Sequence, residues 1–197
     1  ANGEVVFFDA KKGDEMDRVA LKLPAGTSVT SIAEDQPGHP TVALGLSNGQ
    51  VLVFKHNYKV TYPDNKKTIT PHIEYPYGEA AMNLDPQGRP LEHVAIVSGD
   101  DSLLLAASTG SEMLLLGLTQ QENMLTGEST LQEERINLPQ IADPVKAIYM
   151  DPRKQWLYVL NGRAQADVFN LNTHQLNGRY KLLDDASAEV TASSQLL

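Results

Sequence analysis

Four stretches of the chain repeat one local pattern, a tight turn running into a short apolar strand. They are Asn2-Gly3 before Glu4-Val5-Val6-Phe7-Phe8, Asn48-Gly49 before Gln50-Val51-Leu52-Val53-Phe54, Thr109-Gly110-Ser111 before Glu112-Met113-Leu114-Leu115-Leu116, and Asn161-Gly162 before Ala166-Asp167-Val168-Phe169. The turn glycines Gly3, Gly49, Gly110 and Gly162 fall 46, 61 and 52 residues apart. That period is close to the length of one four-stranded propeller blade. An array of such units supplies a rigid frame with loops on its faces, and does not by itself imply a catalytic machine.

Each unit reads as four strands. In the first full unit, Ser28 to Ala33 alternates and forms the innermost strand, Pro40 to Leu46 the second and Val51 to Lys55 the third, while the fourth falls somewhere between Thr68 and Leu84. Asn48-Gly49 is a strong hairpin signal, because both residue types adopt positive φ. The second unit uses Leu91 to Val97, Ser102 to Ser108, Ser111 to Leu118 and a strand near Glu134 to Leu138. The third uses Pro144 to Tyr149, Trp156 to Leu160, Ala166 to Leu171 and Gly178 to Leu183. Gln120 to Glu134 is polar and interrupted by Thr126-Gly127, and is expected to be a loop.

The expected fold is therefore all-β and propeller-like, with four-stranded antiparallel blades of the WD40 or PQQ type. Its units are roughly 1–24 (partial), 25–90, 91–139, 140–184 and 185–197 (partial), together forming one domain. Ala188 to Ser193 reads as the opening strand of a further unit. Both ends look cut, so the chain is expected to be part of a larger propeller, with a closed ring of four as the alternative.

The composition narrows the function. A formal net charge of −9 works against broad binding to nucleic acid or anionic lipid. With no cysteine there are no disulfides, thiolate metal sites or cysteine nucleophiles. The longest apolar runs, Leu103 to Ala107 and Met113 to Leu116, are strand-sized rather than membrane-sized.

No catalytic signature emerges. His39, His56, His72, His93 and His174 show none of the close spacings of a local metal pair. The pairs Asp14-Glu15, Asp100-Asp101 and Asp184-Asp185 read as solvated turns. There is no Gly-x-Ser-x-Gly elbow and no phosphate-cradling glycine loop. Trp156 reads as a packing residue between blades. No cofactor and no metal is expected.

The least repetitive stretch runs from His56 to Glu79 and holds four of the seven tyrosines and two of the five histidines. Pro63-Asp64-Asn65 is a turn, and the flanks Tyr58 to Tyr62 and Lys67 to Ile73 are expected to pair as a projecting hairpin. Lys55, Lys59, Lys66 and Lys67 make it a basic patch on an acidic protein. Long insertions on rigid frames often carry recognition, and exposed Tyr and His suit it. The candidate partner contacts are His56, Tyr58, Lys59, Tyr62, Lys66, Lys67, His72, Tyr75 and Tyr77.

The wording of several segments is similar to that of one family. Leu44-Gly45-Leu46-Ser47-Asn48-Gly49 through Val53-Phe54-Lys55-His56-Asn57-Tyr58-Lys59 resembles the large extramembrane insert of a permease subunit of proteobacterial phosphate ABC transporters. So do Tyr62-Pro63-Asp64, Thr68-Ile69-Thr70-Pro71, Glu74-Tyr75-Pro76-Tyr77-Gly78-Glu79, Leu138-Pro139-Gln140-Ile141-Ala142, Asp151-Pro152-Arg153 with Gln155-Trp156-Leu157-Tyr158-Val159, and Leu176-Asn177-Gly178-Arg179-Tyr180. The resemblance covers almost the whole chain. It implies an accessory domain on the periplasmic side of the bacterial inner membrane, belonging to an integral membrane protein that imports phosphate.

ATP hydrolysis would occur on separate subunits, and a periplasmic binding protein would deliver the phosphate. The implied partners are the transmembrane subunits of the permease and that binding protein. No pore residue maps onto this chain. The domain is expected to be non-enzymatic, docking the binding protein or stabilising the complex. The alternatives are a free-standing periplasmic scaffold and, behind it, a propeller hydrolase such as a lactonase or glycosidase.

Overall fold

The computed structural model describes residues 3–36, 39–110, 112–122, 129–141 and 143–182. Every regular element among them is a strand apart from a single 3-10 turn at Pro63–Asn65. A two-stranded ribbon pairs β1 (Glu4–Phe8) with β2 (Glu15–Ala20). The second sheet runs β3 (Val29–Glu34), β4 (Thr41–Leu46), β5 (Gln50–Thr61) and β6 (Thr68–Glu74), with the short β7 (Met82–Asn83) also on β5. The third runs β8 (His93–Ser98), β9 (Ser102–Thr109), β10 (Glu112–Glu122) and β11 (Ser129–Asn137). The fourth runs β12 (Val145–Met150), β13 (Trp156–Asn161), β14 (Gln165–Asn170) and β15 (Gln175–Lys181). All pairings are antiparallel meanders in sequence order.

The sheets stack face to face because the middle strands are apolar on both faces. On β5, Leu52 and Phe54 turn toward the ribbon and join Val5, Leu21 and Leu23, while Val51 and Val53 turn the other way to meet Val94, Ile96, Leu105 and Leu116 of the third sheet. On β8 and β10 the alternate residues Ala95, Val97, Met113 and Leu115 meet Val145, Leu157, Val159 and Phe169 of the fourth. A strand buried on both faces reads as a continuous apolar run, which is why Thr41–Leu46 is buried at every position.

The first strand of each full sheet lies innermost. Successive inner strands touch at their starts: the Thr30 and Ser31 hydroxyls donate to the Leu91 carbonyl at 2.7 Å each, and His93 Nε2 lies 3.2 Å from the Val145 carbonyl.

The fourth strand of the first full unit falls between Thr68 and Leu84 as expected and is divided there, with β7 pairing the start of β5 and β6 its far half. Two sequence expectations need correction. Gln120 to Glu134 is not simply a loop: β10 continues to Glu122 and β11 starts at Ser129, extending the hairpin, while residues 123–128 lie outside the described part.

The second correction concerns the hairpin turns. At 46–49 the turn is closed by Gly49 N–H donating to the Leu46 carbonyl, and only Gly49, at φ 78°, is left-handed. This is a type I turn followed by a left-handed residue, not a turn with two positive φ values. In the last unit the same turn spans Asn161 to Ala164, and Ala164, at φ 54°, holds the place of Gly49. The expected strand at 188–193, the partial unit 185–197 and the pair Asp184-Asp185 lie outside the described residues.

Candidate interaction site

The second and third sheets each send a hairpin past the end of the array. In the second, β4 stops pairing at Thr41 opposite Lys55, but β5 continues six residues to Thr61 with β6 as its partner. That is about 20 Å of two-stranded ribbon. In the third, β10 passes its last β9 partner, Thr119 opposite Ser102, by three residues. The corresponding connections at 9–14 and 171–174 are short turns. The long hairpins are therefore on the two central sheets.

Register divides the longer hairpin into two faces. His56, Tyr58 and Val60 share one face with Ile69, Pro71 and Ile73, while Lys55, Asn57 and Lys59 share the other with Thr70, His72 and Glu74. The first face continues the Leu52 and Phe54 stripe, so it looks toward the ribbon. At its base Ile73 packs into the ribbon interface. Farther out the shorter ribbon no longer covers it, and Tyr58 is left 64% exposed, with Val60 and Ile69 also exposed.

On the second face Glu74 Oε1 accepts from Asn57 Nδ2 at 3.2 Å and lies 2.8 Å from His72 Nε2. The His72 contact, followed by that of Asn57, holds the Glu74 carboxyl below its ordinary range. At the tip Asp64 (φ 50°) and Asn65 (φ 60°) are left-handed, and Lys66 N–H donates to the Pro63 carbonyl at 2.9 Å. Asp and Asn are among the few residues that take this conformation readily. The turn displays Tyr62, 65% exposed, beside exposed Lys66 and Lys67.

The nine candidate contacts do not form one patch. His56, Tyr58, Lys59, Tyr62, Lys66 and Lys67 are exposed on the hairpin, and His72 is half-buried beside Glu74. Tyr75 is a packing residue: its hydroxyl accepts from Lys22 N–H at 3.3 Å, its ring lies 5.8 Å beneath the Lys22 ammonium, and it borders the ribbon interface. Tyr77 is half-buried against the core between the second and third sheets. Burial, then the charges of Asp35 and Asp101, pushes its phenol pKa up. Pro76 and Tyr77 form a small cleft with Gln120, Thr130 and Leu131, so the two hairpins are neighbours. Among the described residues no three His, Asp or Glu side chains gather as a metal site.

The same end of the array holds a polar seam that the sequence does not reveal. Asp35, its side chain fully buried, accepts from Ser98 N–H at 3.0 Å and from the Ser98 hydroxyl, tying the second sheet to the third. His39 Nδ1 lies 3.9 Å away. Lys154, at φ 57°, reaches from the fourth sheet to donate to Ser102 Oγ at 2.8 Å. Burial pushes its ammonium pKa down, against the pull of Asp35.

At the opposite end Asp85 receives Arg89 Nε at 2.9 Å, Arg89 Nη2 at 3.1 Å and Arg89 N–H at 2.8 Å. Arg89 Nη2 also donates to Glu112 Oε2 at 2.6 Å. Both nodes join neighbouring sheets. Asp35-Gln36-Pro37-Gly38 and Asp85-Pro86-Gln87-Gly88 look like ordinary turns, and nothing in the sequence signals that Asp35 pairs with Ser98 or that Arg89, held by Asp85, reaches Glu112.

Comparison with solved structures settles the architecture. The chain superposes over 92% of its length on the β-propeller domain of Myceliophteria thermophila Cps50 (Swd1), with a TM-score of 0.53 at 13% identity. It has a β-propeller fold. This arc spans about half, 49%, of that domain's chain. Citrobacter koseri AztD is also similar, over 88% of this chain and 37% of its own, with a TM-score of 0.40 at 14% identity. No protein-family model and no curated protein sequence matches the arc. No helix among the described residues is long and apolar enough to cross a membrane.

Proposed function

We propose that the arc is a non-catalytic protein-interaction module that presents the β5–β6 hairpin to its partner. One observation carries this reading. A basic, tyrosine-bearing hairpin stands about 20 Å clear of an otherwise acidic body, on a frame stiffened by three apolar interfaces. Aromatic side chains displayed on a rigid support lose little entropy on binding and supply most of the energy at protein contacts. Lysines at the tip add steering toward an acidic surface.

The segment-by-segment resemblance to the insert of a phosphate permease gives the finer proposal. The module stands on the periplasmic side of the inner membrane and receives the phosphate-binding protein, or steadies the transporter around it. It takes no part in the chemistry of transport.

A binding titration tests this. The phosphate-loaded binding protein of the same transporter is expected to bind more tightly than the phosphate-free form, and inorganic phosphate alone is expected to give no signal. Tyr58→Ala should weaken binding about tenfold or more. Lys66→Glu with Lys67→Glu should slow association and remove its salt dependence. Equal binding by the wild type and the Tyr58→Ala variant removes the hairpin from the contact. No binding with the transmembrane subunits also present removes the docking role.

A further inference from the structure

Two parts of the arc lie open among the described residues. One is the outer face of the fourth sheet, where Trp156, Tyr158, Val168 and Tyr180 border a concavity of about 360 Å³. Its lining is uncharged, and nothing on it selects an occupant. The other is the free edge of β5, where backbone and charge together select one.

The last contact of β5 on its β4 side is His56 N–H, which donates to the Pro40 carbonyl at 3.0 Å. Beyond it that side of the sheet turns off into β3, with Asp35 N–H donating to the Thr41 carbonyl at 3.0 Å. In an antiparallel strand alternate residues turn their N–H and C=O groups to opposite edges. His56 faces the β4 side, so Tyr58 and Val60 do too, while Asn57, Lys59 and Thr61 face β6. Tyr58 N–H donates to the side chain of its own neighbour, Asn57 Oδ1, at 2.8 Å. The Tyr58 carbonyl and both backbone groups of Val60 face no strand among the described residues. Residues 56–60 are all exposed.

The opposite edge of the hairpin is closed. Its outward positions on β6 are Ile69, Pro71 and Ile73; Pro71 has no N–H, and β2 packs against the strand. Free edges are commonly blunted in this way. Residues 56–61 of β5 carry no proline.

We infer that the β5 edge at Tyr58–Val60 takes up an extended segment of the partner as an added strand, one in which acidic residues alternate with apolar ones. This rests on the hairpin being the contact, as proposed above. An added strand sets its alternate side chains on the two faces of the hairpin. Those beside Tyr58 and Val60 meet an exposed apolar surface that Ile69 extends. Those beside Lys59 meet a cation, with Lys55 farther along the same face. Lys59 also sets the edge against its own copy, because an antiparallel pairing of two β5 edges about it would place like charges opposite one another. A two-stranded ribbon standing outside a core is marginal, and a third strand strengthens it.

A short peptide alternating glutamate and valine is the probe, followed by fluorescence anisotropy and by amide hydrogen exchange. It is expected to bind the chain and to slow exchange at Val60 N–H. Val60→Pro removes the outward donor and leaves the ladder to β6, carried by Asn57, Lys59 and Thr61, in place. It should weaken binding about tenfold or more, as should Lys59→Glu. The same peptide methylated at its backbone nitrogens keeps every side chain and should not bind, which decides the matter even if Val60→Pro does not fold. Equal binding of the methylated peptide, unchanged exchange at Val60, or no binding at millimolar peptide overturns the inference. So does a dimer of the chain that Val60→Pro dissolves, because a second copy then holds the edge. With the phosphate-loaded binding protein, weaker binding by Tyr58→Ala but not by Val60→Pro refutes strand addition and leaves the hairpin contact standing. No effect from either variant removes the hairpin contact itself.

Discussion

Asp35 and Asp85 are buried carboxylates: Asp35 serves the backbone and side-chain donors of Ser98 on the neighbouring sheet, and Asp85 those of Arg89, four residues along its own turn, whose guanidinium reaches on to Glu112 of the third sheet. Removing one partner of such a contact leaves the other desolvated and unpaired. Asp35→Ala is expected to cost about 2–4 kcal/mol in urea unfolding, because the buried Ser98 N–H loses its acceptor. Asp85 also carries a pH signature. The Arg89 guanidinium, helped by the N–H groups of Arg89 and Gln87, holds its carboxyl below the ordinary 3.8. A carboxyl with a depressed folded pKa stabilises fully above the unfolded value, and that stabilisation drains away as pH falls through the folded value. Stability should therefore fall below about pH 4 in the wild type. Asp85→Asn should be less stable at neutral pH, with a flatter acid limb, as a pH series of denaturant midpoints would show. Neither residue is marked in the sequence, because a turn aspartate looks the same whether it faces water or is buried against a donor.

Strands were the most legible elements. Thr41–Leu46, Ser102–Thr109 and Trp156–Asn161 fall within a residue or two of where their apolar runs place them, because burial on both faces leaves no other use for such runs. Legibility ended where strands leave the core. The far halves of β10 and β11 are polar apart from Leu131, so no apolar alternation marks them as paired. The β5–β6 hairpin could be anticipated only from its turn residues, and its division into two faces needed the register. The turn residues do not give the turn geometry in detail, since Gly162 lies two positions ahead of the left-handed residue, Ala164. Two glycines test the turn geometry. At Gly49 an added Cβ would stand 2.8 Å from the Asp85 carbonyl oxygen, whereas at Gly110 it would meet nothing within 4 Å. Both are left-handed. Gly110→Ala should cost about 1–2 kcal/mol of strain alone, and Gly49→Ala about 2–4 kcal/mol with overpacking added, measured by thermal unfolding.

At the scale of the molecule, each sheet leans only on its neighbours, so stability is distributed along the array and is lowest at the least supported end. The β1–β2 ribbon has two strands and one covered face, and Phe8 and Met16 remain exposed on it. Its amides are expected to exchange with deuterium faster than those of β4 and β9, which are central and buried. Equal protection would mean that the array opens as one unit. The open face at the other end has an optical consequence. Trp156, on its rim, is the chain's only tryptophan, so the intrinsic fluorescence of the protein reports on a single place. While that face is wet, the indole emits at long wavelength and is quenched readily by acrylamide. Anything that settles over it shifts the emission to the blue and slows the quenching, so the arc carries its own indicator of assembly without a label.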